Sequence, residues 1–231
     1  MERKRTPMLM TEIMIIQFMA RLKTQTRRTR GLEKINQSPD DWFYLGKGSD
    51  SEYMFQNKDR SVLAIKCPYG GVGDSLLFKE KYLLPSYQKE IPKKPVPVWH
   101  CADGKPTWGL WGPARPSMFM PIWASRHNPD IKHIGLARVN NISWDDALAE
   151  GVPDQDFFPM DSIWCPVCHG EGVYPGICGP SLGVTEYDCT DCDTPTKRYK
   201  NLWELINGKK YQWSLNAWVW IVEFEKYEAG L

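Results

Sequence analysis

Lys23-Thr24-Gln25-Thr26-Arg27-Arg28, followed by Thr29 and Arg30, brings four cations, three hydroxyls and an amide into a few residues. Arginine offers a planar fork of N–H donors and lysine a point charge, so the cluster suits a phosphate or a polar heterocycle. A solvated basic helix end has the same composition. The apolar run Ile13-Met14-Ile15-Ile16, with Phe18, Met19 and Leu22, comes directly before it, so a buried element delivers these donors to one place.

A second group of reactive side chains lies far downstream. Cys165-Pro-Val-Cys168 and Cys189-Thr-Asp-Cys192 are two CxxC turns separated by 20 residues. Each turn can place two thiolates on one ion, and two turns close a tetrahedron, the pattern of a structural Zn²⁺ site. Pro166, Gly170, Gly172, Gly176 and Gly179 supply tight turns, and His169 and Cys178 stand in reserve as ligands. Free or redox-active thiols are the alternative. A closed set of four cysteines leaves no open coordination position, so zinc here is expected to be structural rather than catalytic. Cys165 to Gly172 resembles the zinc-binding repeats of DnaJ-type chaperones over those eight residues.

The elements that must position these groups can be read around them. Thr11 is placed to cap a helix running to about Leu22, with Glu12 favourable in its first turn. Residues 1–8 read as a flexible basic leader and 31–60 as a loop-rich region. Val62–Lys66 and Ser75–Lys79 read as two strands paired through a Gly-rich loop. Residues 85–97 form an exposed Pro/Lys connection, and Val98 to His100 a short strand. His133–Asn140 reads as a strand. Ser143-Trp-Asp-Asp146 starts a helix that Gly151 ends. Leu202–Gly208 is a short helix and Ala217–Phe224 a buried last strand.

The chain has 231 residues, 11 of them Trp, with 18 Gly and 18 Pro, which favours an aromatic, turn-rich β fold over a helical bundle. A net charge of +1 leaves nucleic-acid contact to local patches. The apolar run near the N-terminus is broken by Gln17 and Arg21, neither a signal peptide nor a span, so a cytoplasmic protein without a membrane partner is expected. Seven cysteines in a reducing compartment mean metal before disulfide.

Several blocks together resemble the ASCH family in its phage and prophage branch. They are Lys23–Arg28, Cys67-Pro68-Tyr69-Gly70 with Gly73-Asp74, and Met120-Pro121-Ile122-Trp123-Ala124-Ser125-Arg126. Asp145-Asp146-Ala147 through Glu150-Gly151-Val152 follows, then Leu202-Trp203 to Asn207-Gly208 and Asn216 to Trp220. The resemblance implies an α+β fold, a PUA-like β-barrel with flanking helices, built from residues 9–160 and 199–228. Residues 161–198 would then form a separate zinc-binding insert. It also implies action on RNA, a nucleoside or a modified nucleotide in a bacterial or phage-infected cell. Small bacterial members remove acetyl from N4-acetylcytidine, and another is a ribonuclease. Their Lys, Thr and Glu fall on Lys23, Thr26 and Glu150, with Thr26 as a nucleophile that needs a neighbouring base. Arg28 and Arg126 would hold phosphate or base edges, and Trp123 would stack on the base, unless it is simply core. All of these side chains are expected around one cleft, which serves an amidohydrolase or a non-catalytic reader of a modified base equally well. Lys197, Arg198 and Lys200 of the insert are candidates for further phosphates.

Overall fold

The computed structural model describes residues 3–48, 52–152, 165–169, 173–177 and 184–227. The basic leader is not a tail. Its alternation of exposed and buried side chains makes strand β1 (Arg5–Leu9), which buries Thr6 and Met8. Thr11 then caps α1 (Glu12–Met19), its hydroxyl accepting from the Met14 N–H at 3.2 Å. The helix ends earlier than expected. Arg21 takes a left-handed φ of 63°, and the Leu22 and Lys23 N–H groups both donate to the Gln17 carbonyl. That turn sends the basic cluster into β2 (Gln25–Arg28), where it is strand and not a helix end.

The loop-rich region contains strands β3 (Trp42–Lys47) and β4 (Glu52–Asn57). With β5 (Val62–Lys66) they form an antiparallel sheet of their own. Strand β6 (Ser75–Lys79) does not pair with β5 as the local turn suggested; it runs parallel to β1, with Thr6 opposite Leu76. The short pair β7 (Tyr82–Leu83) and β8 (Trp99–His100) opens a lobe that extends to Ala124. After β9 (Ile131–Arg138) comes α2 (Trp144–Ala149), which starts at Ser143 with a full capping box to Asp146. The hairpin β10 (Val173–Ile177) and β11 (Val184–Asp188) precedes α3 (Pro195–Asn207), and β12 (Trp218–Phe224) ends the fold.

Strand β12 is the centre of the sheet β2-β12-β9, so β2 is an edge strand. The main core packs Ile15 and Phe18 of α1 against Phe78, Trp220, Val222 and Phe224. The architecture is α+β with several small sheets. The expected closed barrel is absent among the described residues. Strand β6 donates from Leu76 and Phe78 to the carbonyls of Pro129 and His127. Ile131 N–H donates back to the Asp74 carbonyl and Ser75 bridges Asp130, but Pro129 has no N–H to return, so the seam goes no further than this bridge.

His127 lies on that seam, buried between Phe18 (ring centroids 5.4 Å) and Tyr227 (5.3 Å). Burial pushes its imidazole down to about 4, and the Arg126 charge adds to this. The unfolded chain therefore binds more protons than the folded one between about pH 4 and 6.5. Stability is complete above that window and falls as the pH drops through it, by on the order of 2–3 kcal/mol. Denaturant titrations of wild type and His127→Phe should give a stability difference that changes by this amount between pH 7 and 4. A constant difference would contradict this account of His127.

Candidate functional site

Edge strand β2 faces α3 across a cleft of about 220 Å³. Thr26, Arg27, Arg28 and Arg30 line one wall, Tyr199, Leu202, Trp203 and Asn207 the other, with Glu150 between them. Phe224 N–H donates to the Thr24 carbonyl and Thr26 pairs with Val222. In an antiparallel ladder this register turns the backbone groups of Gln25 and Arg27 away from β12, toward the open edge.

Beneath the cleft lies a buried ionic network. Lys23 is 1% exposed, and its Nζ donates to the Glu150 carbonyl at 2.6 Å and to Oε2 at 2.8 Å. Arg27 donates to Gln25 Oε1 at 2.7 Å and to Asp146 Oδ2 at 3.0 Å, and stands 3.5 Å from Glu150 Oε1. Gln25 donates in turn to Asp146 Oδ1 at 3.1 Å. The capping-box carboxylate of α2 thus also anchors β2. Burial lowers the Lys23 pKa, and the Glu150 carboxylate restores it only in part. Burial works against the Asp146 carboxylate, but bonds from Gln25, Arg27 and Ser143 hold its pKa below the usual value. Tyr199 is neutral: burial raises its phenol well above the usual range, and the Glu150 charge adds to the rise. Its ring lies 5.8 Å from the Arg27 guanidinium carbon, at the edge of cation–π range.

Among the described residues, three buried atoms of the cleft lack a hydrogen-bond partner: Glu150 Oε1, Arg27 Nε and Arg28 Nε. Buried polar atoms are nearly always paired, so these atoms have capacity for a ligand or a water. Arg28 spends one nitrogen on the Leu9 carbonyl at 3.0 Å, and Arg30 is exposed. Lys23 and Arg27 are balanced by Glu150 and Asp146, which leaves Arg28 and Arg30 at the cleft without an ion pair among the described residues.

Of the side chains expected around one cleft, Thr26, Arg28 and Glu150 line it and Lys23 lies directly under Glu150. Arg126 and Trp123 do not. Arg126 is clamped by the buried Glu80 carboxylate at 2.9 and 3.1 Å and by Asp103 at 2.8 Å, and it borders a different hollow beside His127. Trp123 donates to the Pro92 carbonyl at 3.2 Å and packs with Tyr82, Leu84 and Met120. Trp123 is half-buried, and its N–H and the packed face of its ring are both engaged away from the cleft. Gln25, Asp146 and Tyr199 were not singled out as site residues. The signal for Tyr199 was the Thr194-Pro195 pair, a capping residue followed by proline at the first helical position, which starts α3 well before Leu202.

The four cysteines meet. Cys165, Cys168, Cys189 and Cys192 are buried, and their sulfurs all lie within 4.8 Å of one another. The sulfurs of Cys165 and Cys189 stand 3.6 Å apart and those of Cys168 and Cys192 3.4 Å. A tetrahedral ion with bonds of about 2.3 Å sets sulfurs about 3.8 Å apart, so the donor set fits a metal. Burial pushes the Cys189 and Cys192 thiols up in the absence of a cation, an imbalance that a bound divalent ion reverses. Cys178, Gly170, Gly172 and Gly179 lie outside the described residues.

This cluster is joined to the cleft. Arg198 Nε donates to the Cys192 carbonyl at 2.7 Å, Asn201 to the Asp191 carbonyl at 3.0 Å and Lys197 to the Thr190 carbonyl at 2.8 Å. The first turns of α3 thus rest on the second CxxC turn, and its later turns line the cleft. A lobe boundary at residue 198 falls inside this helix, and buried Arg198 holds its own backbone instead of facing a phosphate. No helix among the described residues is long and apolar enough to cross a membrane. Comparison with protein-family models, with curated proteins and with solved structures returned no match.

Proposed function

We propose that the chain binds RNA, or a nucleotide with a modified base, in the cleft between β2 and α3, in the manner of the ASCH proteins its motif blocks resemble. The observation that carries this reading is that Glu150 Oε1, Arg27 Nε and Arg28 Nε at the cleft lack hydrogen bonds among the described residues, with Arg28 and Arg30 free of ion pairs there. The carboxylate oxygen accepts from a base N–H, the Arg27 backbone offers a donor and an acceptor to a base edge, and Arg28 with Arg30 takes a phosphate. The four-cysteine site holds zinc, and its role is structural. Calorimetric titration tests the binding. A nucleoside 5′-monophosphate should bind at least about tenfold more tightly than its nucleoside, since a hydrogen bond to a charged group contributes roughly 1.5–3 kcal/mol. That advantage should vanish in Arg28→Ala/Arg30→Ala. Equal affinities in the wild type would overturn the phosphate assignment.

A second reading, an amidohydrolase that deacylates an N4-acylated cytidine, is favoured by one observation: Lys23, Thr26 and Glu150 belong to a single group of side chains. Thr26 Oγ would attack the acyl carbonyl, the amine would leave with the proton, and water would release the acid. It ranks second because Lys23 Nζ spends two of its three donors on Glu150, which holds it as an ammonium, and no hydrogen bond joins Thr26 to Lys23 or Glu150 among the described residues. Incubation with N4-acetylcytidine should show binding without turnover. Cytidine release that is lost in Thr26→Ala would reverse the ranking.

A further inference from the structure

We propose that the lobe opened by β7 and β8 carries a separate stacking platform for single-stranded nucleic acid, centred on Trp108. Trp99, Trp108 and Trp111 form a triad with ring centroids 5.3–6.2 Å apart. The triad is not core. Trp108 is 61% exposed and its neighbour Leu110 83% exposed. Nor are the rings loose. Trp99 donates to the Gly104 carbonyl at 2.9 Å and Trp111 to the Trp108 carbonyl at 2.6 Å. Gly109, with φ of +75°, makes the turn that brings Trp111 back under Trp108, and an added Cβ would meet the Trp111 indole at 3.2 Å. Backbone bonds from Ser86 to Leu110 and from Gly112 to Leu84 tie this turn to the lobe.

Charge selects the occupant. Residues 85–115 carry five cations against two carboxylates, +3, while the whole chain is +1. Asp103 is occupied by Arg126, and Arg115 by the carbonyls of Gln88 and Lys89. Lys89, Lys93, Lys94 and Lys105 are exposed and make no ion pair among the described residues. Lys105 follows the glycine that accepts the Trp99 N–H, and the Lys89 carbonyl accepts from Arg115. An exposed aromatic face held by backbone bonds, in a segment rich in exposed lysines without ion pairs among the described residues, fits a polyanion whose bases are free to stack. Single-stranded RNA or DNA has that property and a duplex does not. The surface is independent of the cleft's occupant, since it shares no residue with the cleft wall.

The test uses a fluorescently labelled single-stranded 12-nucleotide probe, the matching duplex, and vesicles of anionic phospholipid. The wild type should bind the single strand, with quenching of its tryptophan fluorescence, more tightly than the duplex. Trp108→Ala should weaken single-strand binding about tenfold, in line with loss of one stacked base. Lys93→Gln/Lys94→Gln should reduce the salt dependence of binding without abolishing it. Mononucleotide binding at the cleft should be unchanged in both variants and should fall to the nucleoside's level in Arg28→Ala/Arg30→Ala, so the two sites fail separately. Equal single-strand affinity in wild type and Trp108→Ala overturns the platform, as does preference for the duplex or for vesicles.

Discussion

Removing the metal is expected to open the cleft. Chelation, or Cys189→Ser, takes away the zinc proposed to hold the two CxxC turns together, and the start of α3 loses the backbone on which Arg198 and Asn201 rest. Structural zinc contributes roughly 10–16 kcal/mol in small peptides, comparable to the whole stability of an ordinary domain. The described part of the segment offers no substitute, because its own buried cluster consists of the four cysteines alone. The expected result is loss of amide protection in the first two turns of α3, while its later turns, packed through Leu202 and Trp203 against Val139, Ala147 and Val219, are weakened less and α1 and β12 stay protected. Nucleotide binding at the cleft should fall with it. Hydrogen exchange with and without chelator, beside elemental analysis, makes the measurement. Unchanged protection in α3 after verified metal loss would show that the helix stands without the ion.

The second large effect concerns the network beneath the cleft. Glu150→Ala strands Lys23, fully buried, on a backbone carbonyl alone, and deprives Arg27 of its nearest second carboxylate. Breaking one partner out of a buried pair costs about 3–5 kcal/mol, because the remaining charge is left uncompensated. Replacing both partners with apolar residues, Lys23→Met/Glu150→Leu, should recover most of that stability while leaving the cleft without its acceptor. Urea titration reads the first effect, and nucleotide titration of the double variant reads the second. A Glu150→Ala protein as stable as wild type would mean that Lys23 and Glu150 are not coupled as the geometry indicates.

The sequence carried some of this clearly. Thr11 and Ser143 announced their helices, because a side-chain cap is a local signal read within four residues. The apolar run of β12 was equally plain, since a strand central to its sheet is buried on both faces. The cysteine spacing led directly to the cluster. The misses share a different origin. Strand β1 hid behind Arg3, Lys4, Arg5 and Pro7, although Thr6 and Met8 held the period-two alternation that buries them. The parallel pairing of β1 with β6 joins residues about 70 apart, and only tertiary packing selects it over the neighbouring hairpin. The Lys23–Arg28 cluster was legible as a site but not as a buried one. Its burial depends on Glu150 and Asp146, more than 100 residues downstream. Arg126 failed for the same reason, since its partner Glu80 belongs to another strand end and no local pattern links the two.

The most direct test of the account is the crystal structure of the protein with a bound nucleoside 5′-monophosphate. It should show the base within hydrogen-bond distance of Glu150 Oε1, opposite Tyr199, and the phosphate on Arg28 and Arg30. A nucleotide seated elsewhere, with Glu150 Oε1 still unpartnered, would contradict it.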